Sequence, residues 1–172
     1  VYTYMFGHAG KKLLFMGQDF GQEREWSEER ELDWFLLGED LNKGLHEYMK
    51  ELLSIYRKYP CMYEFDNCWD GFEWLNCDDK DRSTYSFFRK SSTGKNNLLF
   101  IINMTPIAWE NYKLGVPKKK KYKLLLNSAE ERFGGAGGVM PKEIMAVKEE
   151  CDYRNYSITL DLPPYAAAVF VF

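Results

Sequence analysis

The hydrophobic period of this chain changes at one residue, Pro60, and that change sets its layout. Before it, from Gly44 onward, Leu45, Tyr48, Met49, Leu52, Leu53, Ile55 and Tyr56 recur at the spacing of one apolar helix face. Glu47, Lys50, Glu51 and Lys58 supply the solvated face of the same helix. Proline cannot donate to the helical ladder, so the helix stops there. Beyond it the chain breaks into short β-rich segments at 72–76, 84–89, 98–104, 111–114, 122–126, 157–162 and 166–172. Turn chemistry separates them, in Asp78-Asp79-Lys80-Asp81, Thr93-Gly94-Lys95-Asn96 and Pro163-Pro164. Short strands at this spacing predict a mainly β fold, an antiparallel β-sandwich.

Upstream of the helix, after the Gly7-His8-Ala9-Gly10 break, residues 11–17 form a short apolar run closed by glycine. That is the pattern of a parallel strand buried on both faces. Residues 18–40 are polar, acidic and aromatic without a period, which predicts a long loop of the kind that carries function. Strand, loop and helix make one βα unit. The opening Val1-Tyr2-Thr3-Tyr4-Met5-Phe6 has neither a starting methionine nor a cap, and reads as the end of a buried element in a fragment.

Composition excludes several classes. With 172 residues, 45% hydrophobic and 17% aromatic, the chain can bury a core. A net charge of -3 gives no footprint for nucleic acid or an anionic membrane surface. The apolar runs at 13–16 and 166–172 are too short to span a bilayer, and no secretory signal opens the sequence. Cys61, Cys68, Cys77 and Cys151 lie far apart, with only His8 and His46 to assist them, so they read as reduced thiols of a cytoplasmic protein that needs no metal and no cofactor. Gly134-Gly135-Ala136-Gly137-Gly138 lacks the lysine and hydroxyl residue of a phosphate-binding loop.

Particular motifs narrow the reading further. Gly10-Lys11-Lys12-Leu13-Leu14-Phe15-Met16-Gly17 is followed by Gln18-Asp19-Phe20-Gly21-Gln22, by Arg24-Glu25-Trp26 and by Leu32-Asp33-Trp34-Phe35-Leu36-Leu37. Downstream come Gly71-Phe72-Glu73-Trp74-Leu75, Asn103-Met104-Thr105-Pro106 and Leu162-Pro163-Pro164-Tyr165-Ala166. In this order and spacing they resemble the bacterial-type glycogen (1,4-α-glucan) branching enzymes of the α-amylase superfamily, glycoside hydrolase family 13. The resemblance implies that residues 1–62 are the C-terminal end of a (β/α)8 catalytic barrel, with its last strand, loop and last helix. It makes residues 63–172 the α-amylase C-terminal all-β sandwich domain. The parent protein would be a retaining transglycosylase that forms α-1,6 branches in glycogen. In that family the nucleophilic aspartate, the acid/base glutamate and a second aspartate lie on barrel strands upstream of the last one, so no residue here inherits their roles.

Retaining chemistry needs two carboxylates about 5 Å apart on either side of the scissile bond. Asp19, Glu23, Glu25 and Asp33 all sit on one loop, which predicts solvated or hydrogen-bonding acids and a chain inactive by itself. Residues that follow a barrel strand nevertheless face the substrate side. Leu32, Asp33 and Trp34, with Trp26 beside Arg24, are therefore the candidate glucan contacts, an aromatic face stacking on a pyranose while polar neighbours bond its hydroxyls. Packing of the loop is the plainer role for both tryptophans. Trp69, Trp109 and Tyr122 are candidates for holding a polymer at the sandwich surface, while Trp74, in an alternating strand, reads as core. The expected partners are an α-glucan and the N-terminal remainder of the same enzyme. The alternatives are a weak α-glucan-binding module and a structural domain that shields the barrel. One strand cannot close a barrel, so residues 13–16 should pack on the sandwich or form a sticky patch through which the chain dimerises.

Overall fold

A computed structural model describes residues 1–172. Eight strands, β1 (Phe72–Asn76), β2 (Thr84–Arg89), β3 (Leu98–Asn103), β4 (Trp109–Val116), β5 (Lys121–Asn127), β6 (Glu143–Met145), β7 (Tyr156–Leu162) and β8 (Ala167–Val171), form two sheets. The larger runs β1-β2-β3-β8-β5-β6 and the smaller is the pair β4-β7. Every pairing is antiparallel. The strand latest in sequence, β8, lies between β3 and β5, with Phe100 opposite Val169 on one side and Leu124 opposite Phe170 on the other.

The large sheet is buried on both faces, which explains why β3 is apolar at nearly every position rather than alternating. Leu99 and Ile101 point toward the small sheet, where they meet Tyr112, Leu114, Ile158 and Leu160. Leu98, Phe100 and Ile102 point the other way, into a second core shared with two helices, α1 (Tyr2–Gly7) and α2 (Asp40–Lys58). Tyr48, Met49, Leu52 and Ile55 form the buried face of α2. Each such side chain contributes about 1.5–3 kcal/mol on burial. Arg57 and Lys58 in the last turn complement the helix dipole, and Tyr59 turns extended before Pro60. Gly44 lets α2 approach the segment after β5, since a Cβ there would meet the Phe133 carbonyl carbon at 2.9 Å.

The β-sandwich expectation holds, and a third layer of helices covers its outer face. One expected element is absent. Residues 11–17 form no strand: no other strand lies alongside to accept their backbone hydrogen bonds, and the segment runs irregularly with Leu13, Phe15 and Met16 exposed. Of the two expected outcomes for this apolar run, packing or exposure, the structure takes exposure for these three side chains, while Leu14 packs against the helix-side core. The aromatic opening forms the short helix α1, and β6, three residues long, had no sequence signature.

A buried cation ties this irregular segment to the sheet. Arg89, at the end of β2, is fully buried and pairs with the equally buried Asp66 at 3.1 Å. Its other donors reach the carbonyls of Gly7 (3.1 Å), His8 (3.0 Å) and Gly71 (3.2 Å). Lys11 adds a weaker contact to Asp66 at 3.5 Å, and Lys12 donates to the carbonyls of His8 and Gly10. The C-terminal end of α1, the start of the following segment and the turn before β1 are thus held from one point.

Candidate functional site

The segment between α1 and α2 carries most of the candidate residues. Its base is bonded to α2: Asn42 donates through Nδ2 to the carbonyls of Phe20 (2.8 Å) and Gly21 (3.1 Å), and His46 Nδ1 lies 3.3 Å from the Asp19 carboxylate. Gly21, at φ 71°, takes the left-handed turn that lets the chain double back over the helix. Phe20 is fully buried beneath this turn.

Further out, three side chains clip the loop to itself. The Asp33 backbone N–H donates to Gln22 Oε1 at 2.8 Å, Gln22 Nε2 donates to the Arg24 carbonyl at 2.9 Å, and the Arg24 guanidinium pairs with the Asp33 carboxylate. Asp33 is only 7% exposed. One carboxylate oxygen, Oδ1, is therefore engaged by Arg24, and Asp33 holds the loop together. Trp34 follows at once, in a 3-10 helix from Trp34 to Gly38 that aims side chains outward. Its ring leans on Phe20 (centroids 5.2 Å apart, planes at 33°) and stays 50% exposed. Phe35 beside it is more exposed still, a residue the sequence had given no reason to single out. Leu32 is partly buried. Trp26 packs edge-on against Phe15 at 5.3 Å and keeps 40% of its surface in solvent.

Leu32, Asp33, Trp34 and Trp26 are thus gathered on one loop, while the sandwich candidates lie apart from it. Tyr122 has no exposure, stacks at 4.7 Å on Phe172, and donates its hydroxyl to the Lys118 carbonyl. Its alternation with Lys121 and Lys123 points it into the core, so the expectation of a surface contact is overturned. Trp109 is partly buried against the same core, with its Nε1 shut away from solvent, and offers at most one edge. Trp69 is well exposed, and Trp74 packs between Phe72 and Phe87 as expected of a core residue. Of the acids on the loop, Asp33 pairs with Arg24, Asp19 lies beside His46, and Glu23 and Glu25 stand in solvent.

Comparison with known proteins fits this architecture. Residues 74–172 match the family model described as alpha amylase, C-terminal all-beta domain, from within β1 through to the end of β8. The chain belongs to that family. Among curated proteins, this alpha-amylase C-terminal domain chain is similar to the 1,4-alpha-glucan branching enzyme GlgB of Butyrivibrio fibrisolvens, with 64% identity over 99% of the chain and 27% of that protein. It is 41% identical to the 1,4-alpha-glucan branching enzyme GlgB of Halothermothrix orenii, again over 99% of the chain and 27% of the relative. The chain thus spans about a quarter of the length of these relatives. Among solved structures, trehalulose synthase MutB from Pseudomonas mesoacidophila covers 74% of this chain and 17% of its own, at a TM-score of 0.44 and 13% identity, a likeness too weak to place any residue.

Proposed function

We propose that the chain is the C-terminal part of a 1,4-α-glucan branching enzyme, which cleaves an α-1,4 bond, holds the glucan as a glycosyl-enzyme and passes it to a 6-hydroxyl in the cytoplasm. The observation that carries this reading is the 64% identity, sustained over 99% of the chain, to a protein of that name. Residues 1–62 are then the end of the catalytic barrel and residues 63–172 its sandwich domain. By itself the chain is inactive. Retaining transfer requires carboxylates about 5 Å apart on opposite sides of a sugar, whereas Asp19, Glu23, Glu25 and Asp33 share one loop, with Asp33 paired to Arg24.

The chain's part is to present Trp34, with Leu32 and Trp26 nearby, to the α-glucan, on a loop stiffened by Gln22, Arg24 and Asp33. The exposed Leu13, Phe15 and Met16 are covered in the parent enzyme by its N-terminal remainder, and in the chain alone by a second copy. A purely structural role is the competing reading, favoured by the burial of α1 and α2 on the sheet.

Affinity electrophoresis in glycogen gels separates the two. Retardation lost in Trp34→Ala supports presentation of glucan, and mobility equal to that in a glycogen-free gel supports the scaffold. An iodine-stain branching assay is expected to show no activity, and measurable branching would overturn the inactive reading. Light scattering should give a dimer, and a monomer at high concentration would refute the covering by a second copy.

A further inference from the structure

Between β6 and β7 the chain makes a tight reversal at Cys151-Asp152-Tyr153-Arg154. The Cys151 N–H donates to the Arg154 carbonyl (3.0 Å) and the Arg154 N–H to the Cys151 carbonyl (2.8 Å), closing a two-residue hairpin. Both central residues have positive φ, 49° at Asp152 and 58° at Tyr153. Turns of this kind favour Asn-Gly, because a Cβ crowds the backbone there and a large aromatic is a poor choice.

Asp152 has a structural reason to be present. Its Oδ1 accepts from Asn76 Nδ2 and its Oδ2 from the Gly115 N–H, each at 2.8 Å. Gly115 seats the hairpin, since a Cβ there would fall 2.0 Å from the Cys151 carbonyl oxygen. Tyr153 has no such reason. Its ring is fully exposed at 102%, and its hydroxyl bonds to nothing in the protein. The fold thus holds an aromatic ring in solvent, on a rigid mount, at a position where folding alone favours another residue.

The ring stands at the edge of an open hollow of about 390 Å³ whose polar wall is Asn76, Asp78, Asp79, Arg82 and Asp152. Asp78 makes no ion pair, and its carboxylate can accept. Arg82 spends Nη2 on Asp79 at 2.6 Å and lies over the Tyr112 ring at 4.8 Å, which leaves Nε and Nη1 free to donate. Three carboxylates against one guanidinium repel a phosphate or any other anion. A flat ring beside mixed donors and acceptors suits a neutral, hydroxyl-rich ligand with an apolar face.

We propose that Tyr153 and this hollow form a carbohydrate-binding site on the sandwich, separate from the Trp34 loop, that takes pyranose units of a neutral glucan chain. The choice of α-glucan as ligand rests on the branching-enzyme reading above; the site itself rests on the hairpin.

The test uses the 172-residue chain with maltoheptaose as the probe, followed by saturation-transfer NMR and titration, alongside thermal melts. Tyr153→Asn relieves the backbone and should melt no lower than wild type, while weakening maltoheptaose binding roughly two- to tenfold, the loss of one stacked ring. Tyr153→Trp should retain the affinity. Wild-type binding unchanged in Tyr153→Asn but lost in Trp34→Ala overturns this site and leaves the branching-enzyme reading intact. Absence of binding by the wild-type chain overturns both the site and the glucan contact at Trp34.

Discussion

Replacing Arg89 with methionine is the sharpest test of how this molecule is held together. The guanidinium is fully buried and makes four hydrogen bonds, to Asp66 and to the carbonyls of Gly7, His8 and Gly71. Methionine fills much of the volume but leaves the Asp66 carboxylate, itself almost completely buried, with only Lys11 at 3.5 Å. Removing one partner of a buried pair costs about 3–5 kcal/mol, most of it the penalty on the charge left behind. For a chain of this size about 1 kcal/mol moves the melting midpoint by 2–4 °C, so Arg89→Met should lower it by roughly 6–20 °C. The double variant Arg89→Met, Asp66→Leu removes the orphaned charge and should recover a large part of that loss. Melts of the two single variants, the double and wild type, followed by circular dichroism, supply the cycle. A fall of less than about 2 °C in Arg89→Met, or a double variant that melts no higher than either single one, would refute the argument.

Other outcomes follow from burial and titration. Leu52→Ala on the inner face of α2, where the side chain has no exposure, should cost about 2–5 kcal/mol in denaturant unfolding without changing the sheet signature. Burial, with the Arg89 charge second, pushes Lys12 down to about 8 from 10.5. Between those values the unfolded chain holds more protons than the folded one, so stability from this group rises with pH across that window. The melting difference between wild type and Lys12→Met should shift in favour of wild type between pH 8 and 10.5, and a flat difference would contradict the assignment. Burial pushes the Cys61 thiol up to about 12, so a thiol reagent at pH near 8 should label the exposed Cys68 and Cys77 first and reach Cys61 only on unfolding.

How much could be read from the sequence depended on whether a residue's structure was its own affair. The helix ended where Pro60 required, and β1 and β2 fell at 72–76 and 84–89 as expected, because alternation and turn residues are local signals. The strand expected at 11–17 carried the right residues, but a strand also needs a neighbour to bond, and none lies beside it. The glucan-loop candidates came out together because they are adjacent in sequence. Their internal bonding did not, since the pairing of Asp33 with Arg24 is a contact across nine residues. Tyr122, expected at the surface, is buried, because the lysines on either side of it mark only the outward side of its strand. The Arg89 staple was illegible: no pattern in sequence separates a charge bound for the interior from one bound for the surface.

The position of β8 gives this fold an unusual point of weakness. Most sheets lose an edge when an outermost strand is removed, but here the strand latest in the sequence occupies the middle, bridging β1-β2-β3 to β5-β6. Losing Ala167–Val171 would divide the large sheet into two pieces, baring the inner edges of β3 and β5 together. Raw edges of that length recruit other chains. Damage to β8 should therefore yield aggregates rather than a slightly smaller soluble protein.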